Sequence, residues 1–204
     1  MTAPASPLHA FHTSNLLTYA SLVTGVGAIA VAARGNRSAA GALIAMSVLA
    51  DTFDGRFAGV FRRTAMQREI GVQLDSLSDA IAFGIAPAVC IAALRVDWWR
   101  PAAAGIFWFS AFAYAACAIT RLAFYNVTHE QTEGFIGLPV PVAALILATA
   151  VMFDPGIATS VALFITTAAA MVLPLPIPRP RGIGLAAFTC WPLVLIAGHI
   201  VGRM

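Results

Sequence analysis

The sequence predicts an all-α fold, a polytopic membrane bundle of about six to seven transmembrane helices. Three observations predict it. Of the 204 residues, 60% are hydrophobic and only 10% are charged, and the mean hydropathy is +0.85. That composition lies well outside soluble proteins, which have no means of covering so much apolar surface. Apolar runs of about 17–25 residues, the length that crosses a bilayer, recur along the whole chain. The breaks between them carry Arg, Pro, Gly and Asn, which mark turns rather than a soluble domain. No internal repeat stands out, so residues 1–204 read as a single membrane domain.

Taken in order, the runs fall at 15–33, 38–61, 70–94, 101–124, 137–153, 157–173 and 183–202. The first ends at Arg34-Gly35-Asn36-Arg37 and the second at Arg62-Arg63. The third ends between Arg95 and Pro101, the fourth between His129 and Gly137. Asp154-Pro155-Gly156 separates the fifth from the sixth. The four prolines between Pro174 and Arg181 prevent any helix from continuing into the last run. Residues 1–13 hold no Arg or Lys and so lack the basic start of a signal peptide. They read as a short tail or an interfacial segment.

All twelve basic residues are Arg. A formal charge of +3, scattered along the chain, is too weak a footprint for nucleic acid. With the N-terminus cytoplasmic, that side collects Arg56, Arg62, Arg63, Arg68, Arg121, Arg179 and Arg181, against Arg34, Arg37, Arg95, Arg100 and Arg203 opposite. The excess favours this orientation by the positive-inside rule. Cys90, Cys117 and Cys190 stand singly in apolar runs, with no spacing for a disulfide or zinc, and read as small core residues. The four His residues have no partner spacing.

The acids are distributed very differently. Asp51, Asp54, Asp75 and Asp79 fall within 29 residues at the facing ends of two apolar runs. On an α-helix Asp51 and Asp54 lie about 60° apart, and Asp75 and Asp79 about 40° apart. Left unpaired at mid-membrane depth, four aspartates would cost on the order of 10 kcal/mol. Paired carboxylates at helical spacing are hard oxygen ligands of the kind Mg²⁺ or Mn²⁺ prefers. The same cations, held near a diphosphate, suit attack of a hydroxyl on phosphorus, with one carboxylate taking the proton. Arg121, the lone charge in its run, is a candidate clamp for a carboxylate or phosphate.

From Asp51 the chain reads DTFDGRFAGVFRRTAMQREIGVQLDSLSD. This resembles the signature of the CDP-alcohol phosphotransferase family, D-x2-D-G-x2-A-R-x8-G-x3-D-x3-D. Asp51, Asp54, Gly55, Ala58, Gly71, Asp75 and Asp79 match it. The Arg that follows the Ala in the signature is Gly59 here, and residues 59–61 look like an insertion of nearly one turn. Arg62 then restores the spacing to Gly71. DSLSDAIAFGIAPA from Asp75, the Gly137-Leu138-Pro139-Val140-Pro141 segment, Arg121-Leu122-Ala123-Phe124-Tyr125-Asn126 and Asn15-Leu16-Leu17-Thr18 resemble the phosphatidylserine synthase branch, although a second Arg of that branch is Phe124 here.

The resemblance implies a CDP-diacylglycerol-dependent phosphatidyltransferase in the cell inner membrane, with its site at the cytoplasmic side. It implies L-serine as acceptor and a homodimeric assembly. Asp51, Asp54 and Asp75 would be metal ligands for two Mg²⁺ or Mn²⁺ ions, with Asp79 beside the metals as general base. Gly55, Ala58, Arg62 and Gly71 would line the CDP site, and Arg121 would clamp the acceptor or a phosphate. If residues 59–61 lengthen the second helix by one turn, Arg62 reaches back toward the diphosphate; if the helix ends at Gly59, Arg62 hangs in the loop. Two alternatives stay open at this point: another acceptor, such as glycerol 3-phosphate or an inositol phosphate, and a cation transporter using the same aspartates.

Overall fold

The computed structural model of the protein describes residues 6–95, 101–128, 135–177 and 183–202. Helices α1 (Leu16–Ala32) and α2 (Arg37–Ala58) form an antiparallel pair. Two 3₁₀ turns, Pro7–Ala10 and Thr13–Asn15, lead into α1. The third run begins five residues earlier than the hydropathy suggests. Thr64 and Gln67 form a reciprocal capping box that starts α3 (Ala65–Asp79), satisfying backbone donors that a bare helix start would leave open.

Directly after Asp79 the helix widens into a π-turn over Ala80–Ile85 before continuing as α4 (Ala86–Ala93). Pro87 sits in the first turn of α4. It has no N–H for the carbonyl of Phe83 four residues back, and Tyr114 Oη donates to that carbonyl instead at 2.7 Å. Gly25 of α1 lies against the π-turn so closely that a Cβ there would be 2.7 Å from Ala82 Cβ. α1 therefore crosses α3/α4 at the turn that follows the last aspartate.

The remaining helices are α5 (Pro101–Thr128), α6 (Val140–Met152), α7 (Ile157–Val172) and α8 (Ile183–Val201). α2 is central, with α1, α6 and α8 around it, and α5 packs along α7. Tyr114, Phe83, Phe107, Phe164, Ile44 and Leu145 fill the core. By length and composition, Thr13–Ala32, Ala65–Ala93 and Ala103–Thr128 can each cross a membrane. α2 spans about 33 Å at 1.5 Å per residue but carries the charges of Asp51, Asp54 and Arg56.

The fifth run is shorter as a helix than expected. Gly137 adopts φ +74, its N–H bonds to the Leu175 carbonyl, and Pro139 is extended, so α6 starts only at Val140. Phe135–Ile136 (β1) and Pro176–Ile177 (β2) pair as a short antiparallel ribbon there. Cys90 is buried, as expected of a core residue, whereas Cys190 lies on an exposed face of α8.

Opposite the aspartates, the far end of the bundle is tied by ion pairs. Asp154, in the α6–α7 turn, meets Arg37 at the start of α2 at 3.2 Å and Arg95 beyond α4 at 3.9 Å. Ser38 Oγ and His199 Nδ1 lie 2.8 Å apart at the same end, joining α8 to α2.

Candidate active site

α2 ends, and α3 runs, with their acidic faces toward each other. Carboxylate oxygens of Asp51, Asp54 and Asp75 all lie within 4.8 Å of one another. Asp79, one turn beyond Asp75 and buried, is within side-chain hydrogen-bonding reach of Asp51. Among the described residues no Arg lies within salt-bridge distance of these four acids. Asp75 Oδ1 is buried with no hydrogen-bond partner. A divalent cation suits that donor set: three or four hard oxygens, converging, otherwise uncompensated.

The cluster is a wall between two cavities, and Asp75 faces both. The first, a cleft of about 180 Å³, is lined by Asp54, Gly55, Ala58, Gly71 and Asp75, with Ser14, Asn15 and Thr18 from the start of α1 and Arg63 from the α2–α3 turn. A Cβ added at Gly55 would meet nothing within 4 Å, so this face of α2 is bare toward the cleft. A Cβ at Gly71 would come 3.4 Å from Asn15 Oδ1 and 3.6 Å from Arg63 Nη1. Small residues on both helices thus leave a slot beside the acids.

The second cavity, about 280 Å³, is lined by Asp51, Asp75 and Asp79 on one side. On the other stand Arg121, Tyr125 and Asn126 of α5, Phe135, Pro139 and Phe188. Arg121 is only 6% exposed, so it points into the bundle and does not snorkel toward headgroups. Its guanidinium carbon lies 5.3 Å from the Tyr125 ring centroid and 5.6 Å from that of Phe135. Its Nε and Nη2 are buried and have no hydrogen-bond partner. Nε–H and Nη2–H lie parallel on one edge of the planar fork, which matches a carboxylate or a phosphate. Asn126 Nδ2 donates to Ser76 Oγ at 2.6 Å, tying α5 to α3 across this cavity.

A family model for CDP-alcohol phosphatidyltransferases matches residues 11–175, a stretch that takes in both cavities. The chain belongs to this family. It is 33% identical over 156 residues to a CDP-diacylglycerol–serine O-phosphatidyltransferase of Mycobacterium bovis, covering 71% of this chain and 52% of that protein. A Helicobacter pylori protein of the same name is 34% identical over 159 residues, 74% of this chain and 61% of its own. An archaetidylserine synthase of Methanothermobacter thermautotrophicus is 32% identical over 144 residues, 66% and 55% respectively. The chain therefore spans about half to three fifths of the length of these relatives.

Within the phosphatidyltransferase motif, one expectation about placement is corrected. α2 does not run on through residues 59–61: it ends at Ala58, capped by Gly59, whose N–H returns to the Gly55 carbonyl. Arg62 is exposed in the turn and does not line the cleft, whereas Arg63 is half-buried and does. The reason is local. Gly59 and the open turn after it release the helix, and the capping box at Thr64 fixes the approach to α3 from the residue next to Arg63. Ser14, Asn15, Thr18, Ser76 and Asn126 also line the cavities although the sequence reading gave them no role. Their signal was available, since each is a polar residue in or beside an apolar run.

Proposed function

We propose that this chain transfers the phosphatidyl group of CDP-diacylglycerol to L-serine, yielding phosphatidylserine and CMP. The observation that carries the reading is the acidic wall with a bare cleft on one side and a cavity holding one unpaired cation on the other. The cleft of Gly55, Ala58 and Gly71 accepts the CDP portion, with Arg63 in place of Arg62 as its cation. Asp51, Asp54 and Asp75 hold two Mg²⁺ or Mn²⁺ ions, which supply charge neutralisation at the diphosphate when bound.

The serine hydroxyl enters from the second cavity, its carboxylate on Arg121. Its oxygen forms a bond to the phosphorus that carries diacylglycerol, and the bond from that phosphorus to the CMP oxygen breaks. CMP leaves with the electron pair. The hydroxyl proton passes to Asp79, which lines the serine cavity and acts as the general base. Serine is favoured over a phosphorylated acceptor because Arg121 is the only described cation lining this cavity, and the second Arg of the resembling branch's segment is Phe124 here. The names of the relatives support the same acceptor.

The reading places the protein in the cell inner membrane with the site toward the cytoplasm, supported by Arg56, Arg62, Arg63 and Arg68 at the aspartate end. It carries the homodimer over from the family. The test is CMP release by the purified protein in detergent, with CDP-diacylglycerol and a divalent cation supplied. Release should depend on serine, stay near background with glycerol 3-phosphate or inositol phosphate, and stop with excess chelator. Serine-independent release, or full turnover in chelator, would overturn it; a transporter would release no CMP at all.

A further inference from the structure

α1 contributes no acid, yet it touches both helices that do. The Thr18 hydroxyl donates to Asp54 Oδ2 at 3.1 Å, and the Thr18 carbonyl accepts from Ser78 Oγ, also at 3.1 Å. Thr18 is 6% exposed and Ser78, which precedes Asp79, is 4% exposed. Further along α1, Ser21 and Ser47 hydroxyls meet at 2.8 Å, and Ser47 Oγ also donates to the Ser21 carbonyl at 2.8 Å. Gly25 then packs on Ala82. Thr18, Ser21 and Gly25 are spaced three and four apart, one face of a helix, so this face seats α1 between the two acidic segments.

We infer that Thr18 is a positioning residue for Asp54, fixing the plane of that carboxylate so that its remaining lone pairs are presented to a cation. The inference rests on the reading that the aspartates hold divalent ions. Asp54 borders the open cleft and is only half-buried, so without a donor its carboxylate is free to rotate between rotamers. Asp75 also lies within side-chain hydrogen-bonding reach of Asp54, but Thr18 is the one hydroxyl that donates to it among the described residues. Threonine is suited to the task, because its β-branch restricts χ1 and its carbonyl is pinned by Ser78. Donors that orient metal-binding groups typically matter about 10–100-fold in metal affinity or activity.

The experiment compares Thr18→Val, Thr18→Ser and Ser21→Ala with the parent by Mn²⁺ binding, read by electron paramagnetic resonance without substrate. The Mn²⁺ dependence of turnover is measured alongside. Thr18→Val keeps the shape and loses the donor, so it should weaken Mn²⁺ binding about 10–100-fold and recover turnover at high Mn²⁺. Thr18→Ser should bind like the parent. Ser21→Ala disturbs the α1–α2 seat without touching Asp54 and should change Mn²⁺ affinity by no more than about twofold. Equal losses in Thr18→Val and Ser21→Ala would reduce Thr18 to a packing residue and overturn the inference. So would unchanged Mn²⁺ binding in Thr18→Val with a raised KM for CDP-diacylglycerol, which would make Thr18 a substrate contact. A parent protein that holds no Mn²⁺ would overturn the metal reading itself, and this inference with it.

Discussion

Arg62 and Arg63 are neighbours in sequence but only Arg63 reaches the cleft. Arg63→Ala should raise the KM for CDP-diacylglycerol by about tenfold or more, the loss of a charge-assisted contact of about 1.5–3 kcal/mol. Arg62→Ala should leave it near the parent value, and the reverse order in the same assay would return the role to Arg62. The aspartates divide by proposed role and not by cavity, since Asp51 lines the second cavity with Asp79 while Asp54 lines the cleft. Asp79→Asn should lower kcat by about 10²–10⁴-fold, as loss of a general base does, while nucleotide affinity persists. Asp51→Asn and Asp54→Asn should weaken cation and nucleotide binding together, so equal affinity losses in all three variants would erase the division of roles. Arg121→Gln should raise the KM for serine far more than that for CDP-diacylglycerol, because its free donors face the cavity away from the cleft. A matched rise in both constants would count against a serine clamp.

At the scale of elements, the helix widens over Ala80–Ile85 directly after Asp79, and Tyr114 donates to the Phe83 carbonyl that Pro87, lacking an N–H, cannot serve. π-Turns inside helices often accompany functional sites. Tyr114→Phe keeps the ring in the core and strands that carbonyl, at a cost of about 1–3 kcal/mol. The expected result is a lower thermal midpoint in detergent, and an unchanged midpoint would mean that the turn holds without the hydroxyl. Much of this level was legible in advance. Runs, breaks and the two acidic faces follow from hydropathy and helical spacing, and the aspartates with Gly55, Ala58 and Gly71 meet as their register implies. Spacing alone could not say where α2 stops, since Gly59 permits either a continued helix or a cap. The early start of α3 was written in Thr64 and Gln67, but the polar character of that turn hid it from a hydropathy reading. The β1–β2 ribbon joins segments about 40 residues apart, so it depends on packing that no local pattern encodes.

At the scale of the whole molecule, the two ends of the bundle are built differently. One end opens into two cavities and carries four described arginines between positions 56 and 68. The other is closed by Asp154 with Arg37 and Arg95, and by Ser38 with His199. Closing one end with contacts between α2, α4, α8 and the α6–α7 turn leaves the acidic end free to accept the proposed lipid substrate without unpacking the core. The ion pairs themselves add little, since Arg37 and Asp154 are 41% and 52% exposed and such pairs contribute about 0–1 kcal/mol. Their position does carry a prediction about topology. On the proposed orientation, which follows the positive-inside rule, the 59–64 turn should lie inside and the Asp154 turn outside. Val60 is 80% exposed and Phe153 66% exposed, which makes both accessible to a reagent. In a background with Cys90, Cys117 and Cys190 replaced, Val60→Cys should react with a membrane-impermeant maleimide only in inside-out vesicles. Phe153→Cys should react only in intact spheroplasts. The opposite pattern would put the cavities on the outer face and would separate them from nucleotide-linked lipid made in the cytoplasm.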